Sequence, residues 1–177
     1  GEYPVTSLAD SLFANTSVAT VTIPDGITTI GANVFASTKI RTITIPDTVE
    51  NMGHSAFKGA TLLATVNLSQ NDALSKIPDN CFNGCTALKT ITIPDNYLTI
   101  GMPSFSGSGL TAISFQPTLV SVNNNAFVNC TSLKTVTFQK DENGDTQITN
   151  LYDKAFANTG VTSFEIPMSV SYVGNGI

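Results

Sequence analysis

The sequence predicts a mainly β solenoid of about seven parallel rungs, each 22–29 residues long and turned by short helical or 3-10 corners. Three observations carry that prediction. Seven phenylalanines, Phe13, Phe35, Phe57, Phe82, Phe105, Phe127 and Phe156, recur at gaps of 22, 22, 25, 23, 22 and 29 residues. After each one the same aliphatic pattern, L-x-x-V-x-I, returns, as in Leu88, Ile91 and Ile93. Charged residues make up 12% of the chain, about half the usual share, and Thr, Ser and Asn take their place on the polar positions. A fixed period of this length marks a stack, because one such unit cannot bury its own apolar side and must cover it with a copy of itself.

Each rung reads in the same order. The L-x-x-V-x-I segment ends in period-2 alternation, the pattern of a strand with one buried side. Its aliphatic columns are Val18, Ile40, Leu63, Leu88, Leu110, Leu133 and Val161, then Val21, Ile43, Val66, Ile91, Ile113, Val136 and Phe164. Pro24-Asp25, Pro46-Asp47 and Pro94-Asp95 then stop the strand, since proline has no N–H to donate. A second short extended stretch follows, with Ile27 and Ile30, Val49 and Met52, or Tyr97 and Ile100 as its apolar residues. Gly31, Gly53, Gly101 and Gly174 come next and suggest a backbone bend that a Cβ would oppose. The Phe closes the rung and is expected to stack on the next.

The repeated residues L-x-x-[IV]-x-I-P-D-x-[VI]-x-x-I-G-x-x-A-F-x-x-C resemble the BspA-type leucine-rich repeat, with the resemblance running from Val5 to Ile177. It implies a curved leucine-rich-repeat solenoid with a parallel β-sheet on the concave side. It also implies a bacterial or protist surface protein, extracellular or cell-surface, with adhesion among its uses. Departures are local: Ser69–Ala73 replaces Pro-Asp, Pro78 replaces the usual Gly, and Gln139–Gln147 is inserted in the sixth repeat. The whole of residues 1–177 reads as one repeat domain that starts and ends in mid-repeat. It therefore reads as a stretch of a longer protein, with Gly1 a remnant of cloning.

Candidate binding residues are the outward positions of the first strand: Thr20, Thr22, Arg41, Thr42, Thr44, Thr65, Asn67, Lys89, Thr90, Thr92, Lys134, Thr135 and Thr137. The broad sheet face of a solenoid is where partners commonly dock, although Thr is also simply a good solvated strand residue. The insert Lys140, Asp141, Glu142, Asn143, Gly144 and Asp145 reads as a solvated hairpin, with a calcium loop as the rarer alternative. Asn15, Asn67 and Asn129 open glycosylation sequons, and Asn129 is expected to be enclosed.

Cys81, Cys85 and Cys130 take small inward positions; Cys85 and Cys130 stand two rungs, ~10 Å, apart, too far for a disulfide, so three buried free thiols are expected. His54, the one histidine, takes a variable surface position, and no nucleophile elbow, phosphate loop or H-E-x-x-H motif occurs. No enzyme activity, metal or cofactor is expected. A net charge of −5 and eight basic residues that look scattered, with no basic stripe, argue against nucleic acid. No apolar run approaches the ~20 residues of a membrane span.

Two functions follow. One is a monomeric surface or secreted domain that binds a protein or glycan ligand; the other is a spacer that presents another module.

Overall fold

The computed structural model describes residues 4–177; Gly1 lies outside them. Twelve short strands follow one another: β1 (Ser7–Leu8), β2 (Thr29–Ile30), β3 (Thr42–Thr44), β4 (Asn51–Met52), β5 (Thr65–Asn67), β6 (Lys76–Ile77), β7 (Thr99–Ile100), β8 (Ala112–Phe115), β9 (Ser121–Val122), β10 (Thr135–Phe138), β11 (Asn150–Leu151) and β12 (Tyr172–Val173). All pairings are parallel and join equivalent positions of successive rungs, such as Thr42 with Thr65 or Ile100 with Val122. The chain is a parallel β-solenoid of about seven turns, as its period requires.

The interior is one continuous core. The Phe rings form an unbroken stack from Phe13 to Phe156, with centroid separations from 5.1 to 5.7 Å and interplanar angles of no more than 19°. Five of them, Phe35 to Phe127, are fully buried. Each such ring removes apolar surface from water worth roughly 1.5–3 kcal/mol, so this column is the main spine. A second aromatic run, Phe115, Phe138 and Phe164, starts where the strand's third aliphatic becomes aromatic, and it meets the spine edge-on at Phe127.

Sheet pairing is distributed differently from the expected single concave sheet. The first-strand segments pair only as β3 with β5 and β8 with β10. The second stretch forms the longer ladders, β1-β2-β4 and β6-β7-β9-β11-β12. The corner at each Phe is also different: it is a run of turns, and no helix forms among the described residues. Left-handed residues stand two before and two after the ring, as in Ser11 and Asn15 around Phe13 or Asn125 and Asn129 around Phe127. They aim the alternate N–H groups at the next rung, so that Ser11, Phe13 and Asn15 donate to Ala32, Val34 and Ala36. A helix would turn those donors back on its own axis.

The glycines before the corner do a different job from the expected one. Gly31, Gly101 and Gly174 keep ordinary φ, but a Cβ there would lie 2.4–2.5 Å from the carboxylate of Asp10, Asp79 or Asp153 on the preceding rung.

Candidate functional site

The first-strand face recurs on every rung, and its construction follows from the alternation. Val66 and Ile113 point inward while their neighbours point out. Every candidate on it, from Thr20 and Thr22 through Arg41, Thr42, Thr44, Thr65, Asn67, Lys89, Thr90 and Thr92 to Lys134, Thr135 and Thr137, is exposed. Register aligns them into columns, with Thr44 beside Asn67 and Thr137 beside Ser114. Asn67 Nδ2 donates to Thr44 Oγ1 at 3.0 Å, and Gln139 Nε2 donates to Ser114 Oγ at 2.9 Å. Part of the polar face is thus already satisfied from rung to rung.

The insert lies against this face. A groove of about 280 Å³ runs between Thr137 and Phe138 on one side, Lys140 and Asp145 of the insert, and Glu165 and Met168 of the next rung. Two sets of residues that sequence reasoning kept apart, the strand hydroxyls and the insert, therefore meet in one place. Phe138 gives the groove an apolar floor that the strand positions lack, and exposed Met168 stands at its rim; the third residue of the strand pattern, aromatic in this rung, was the signal for it.

The insert itself is a tight turn with no strand pair, so the expected hairpin does not form. The Asp141 carboxylate accepts N–H bonds from Asn143 and Asp145, both at 2.9 Å, and Asp141 N–H donates back to the Asp145 carbonyl at 2.8 Å. The Asp145 N–H, with help from Asn143, holds the Asp141 carboxyl below its ordinary value. Asp141 is thereby committed to closing the loop. Among the described residues no group of three or more His, Cys, Asp or Glu gathers as a metal site.

The other candidates resolve simply. His54 is exposed, with Nδ1 3.2 Å from Ser55 Oγ. The three cysteines are fully buried free thiols. Cys85 Sγ donates to the Phe57 carbonyl and Cys130 Sγ to that of Phe105, and burial pushes the Cys85 thiol up to about 12. Asn129 is exposed, contrary to the enclosed position expected, with its Oδ1 accepting from Asn158 Nδ2.

One expectation is refined by the rungs. The basic residues look scattered along the chain, but rung geometry sorts them. The seven segments that run from a spine Phe to the end of the following strand hold Lys39, Arg41, Lys58, Lys89 and Lys134, five of the eight basic residues. Those segments hold one of the thirteen acids, Glu165. Acidic side chains collect in the turns and second strands instead, as in Asp25, Asp47, Asp95 and Glu50.

This architecture defines a leucine-rich-repeat solenoid. The family model for the BspA type leucine rich repeat region matches residues 2–74 and 67–177, and the chain belongs to that family, in which repeats of this fold typically do no chemistry. Solved structures agree on the fold. The leucine-rich repeat protein of T. pallidum superposes with a TM-score of 0.66 at 23% identity, over 96% of this chain and 73% of that one. A leucine rich cell surface protein from Faecalibacterium prausnitzii A2-165 gives 0.54 at 20% identity over 83% of this chain, which spans 55% of its length. No curated protein matches the sequence. Among the described residues no helix is long and apolar enough to cross a membrane.

Proposed function

We propose that this is a non-catalytic, extracellular or cell-surface domain that docks a macromolecular ligand on its first-strand face, with adhesion to a host or neighbouring cell as its use. The observation that carries this reading is the junction at the sixth rung. There the exposed strand columns, Thr135 and Thr137 among them, run into the groove walled by the insert, floored by Phe138 and rimmed by Met168. A broad polar face with one half-apolar notch suits a partner that lies across several rungs and anchors once. Membership of the family and the likeness to a leucine rich cell surface protein support the location.

The test blocks the face without touching the core. Thr44→Glu, Asn67→Glu and Thr137→Glu together place like charges across exposed positions of three rungs. The purified domain is applied to a fixed epithelial cell layer, and the retained fraction is measured. Loss of most retention with unchanged thermal unfolding is the expected result. Undiminished retention, together with tolerance of a whole-rung deletion, would instead favour a spacer.

A further inference from the structure

We propose that the edge between the Phe corners and the first strands binds an acidic linear polysaccharide, laid along the solenoid axis. This inference rests on the docking role of the first-strand face and names the chemistry of its ligand.

Arg41, Lys89 and Lys134 occupy one column. Backbone bonds fix the register: Ala64 N–H donates to the Arg41 carbonyl, Thr111 N–H to that of Lys89, and Lys134 N–H to that of Thr111. Read along the stack, the column is Ala19, Arg41, Ala64, Lys89, Thr111, Lys134 and Thr162, and all seven are exposed. A cation thus stands on every second rung, ~10 Å from the next, with small neutral side chains between. Lys39, two residues before Arg41 and exposed, adds to this edge. Among the described residues the one ion pair is Lys76 with Asp79, so none of these four cations is ion-paired in the molecule. The acids of the Pro-Asp turns stand at the far end of each strand, about six residues or ~20 Å away, beyond the ~8 Å over which salt leaves a charge visible.

The spacing selects the ligand. A duplex carries one phosphate per about 1.7 Å, far denser than one cation per two rungs. Single-stranded nucleic acid needs aromatic faces to stack on, and none is exposed on this edge. An acidic peptide would seek apolar pockets for its anchors, and this column offers Ala and Thr. A polysaccharide with one carboxylate or sulfate per disaccharide matches both the sparse, regular cations and the hydroxyl-rich ground of Thr42, Thr65 and Thr135. On an acidic protein the column itself carries three cations and no acid.

The probe is hyaluronate oligosaccharide, a chain with one carboxylate per disaccharide, with neutral dextran, poly-glutamate and oligo-dT as comparisons. Binding of hyaluronate and not of dextran is expected, weakening several-fold between ~50 and ~200 mM salt as screening shortens the reach of the cations. Arg41→Gln, Lys89→Gln and Lys134→Gln together should abolish it. The pair Lys76→Gln and Lys154→Gln, cations outside the edge, should leave it unchanged. Retained binding in the triple variant overturns the proposal, as does tighter binding of poly-glutamate or oligo-dT. If no acidic glycan binds while the face-blocking variant still loses adhesion to the cell layer, the docking role stands and this ligand falls.

Discussion

Tyr97 occupies a column filled elsewhere by Ile27, Val49, Leu119 and Ile148, and it is 1% exposed. Its hydroxyl is a buried polar atom without a hydrogen-bond partner, and burial pushes the phenol above its ordinary value. An orphaned hydroxyl costs more than the bond it fails to make, because its water is stripped away and nothing replaces it. Tyr97→Phe is therefore expected to stabilise the fold by about 1 kcal/mol in urea denaturation; a loss of stability would mean the hydroxyl has a partner. The Asp–Gly pairs show how one residue constrains the next rung. Asp79 Oδ1 accepts the Met102 N–H at 2.9 Å and the Lys76 ammonium at 2.8 Å, and the same carboxylate fills the space where a Cβ on Gly101 would sit. Partial burial pushes the Asp79 carboxyl up, but those donors outweigh it and hold it below its ordinary 3.8. Asp10 with Gly31 and Asp153 with Gly174 repeat the arrangement. Where glycine recurs before the corner, the reason lies in its neighbour one rung back.

At the scale of the element, each rung boundary has three places to form a backbone ladder: the first strand, the second strand and the Phe corner. The corner ladder runs unbroken through the departures from the repeat; Phe57 N–H donates to Cys81 and Phe82 N–H to Ser104. The second-strand ladder breaks once, between β4 and β6, and at that boundary the first-strand pair β3–β5 is complete. Pro78 explains the break. At the equivalent position Gly53, Gly101, Asn123 and Tyr152 each donate an N–H to the rung before, and proline has none to give. The rungs part there into a cleft of about 330 Å³ lined by Glu50, His54, Lys76 and Asp79. Ser75 and Lys76, whose N–H groups have no backbone partner, are expected to exchange amide hydrogen much faster than Leu98 and Thr99, which bond to the Ser75 carbonyl. Hydrogen exchange read residue by residue checks this, and equal protection on both strands would contradict the break.

For the whole molecule, stability is a sum over rungs and their interfaces, so a central spine ring matters on both its sides. Phe105 is fully buried, 5.2 Å from Phe82 and 5.1 Å from Phe127. Phe105→Ala is expected to cost about 3–5 kcal/mol in equilibrium unfolding. A cost below about 1 kcal/mol would be incompatible with a spine built from these rings. The outer rungs, packed on one side, keep their aliphatics more exposed, as at Leu12 and Val173. A substitution of the same kind there should cost less.

The sequence by itself determined the repeat, its register, the Phe spine and the inward columns, because a period of two within a period of 22 leaves one way to bury the aliphatics. It also named the strand-face residues and the insert, since both follow from counting along the chain. Tertiary structure decided what depends on the neighbour one rung away: which strands pair, why Gly101 is glycine, that the insert closes as a turn beside the strand face, and that Arg41, Lys89 and Lys134 stand in one exposed column. Those residues are 22 or more positions apart in the chain and side by side in space. Stacking turns a period into an adjacency, and a charge pattern invisible along the line becomes a surface.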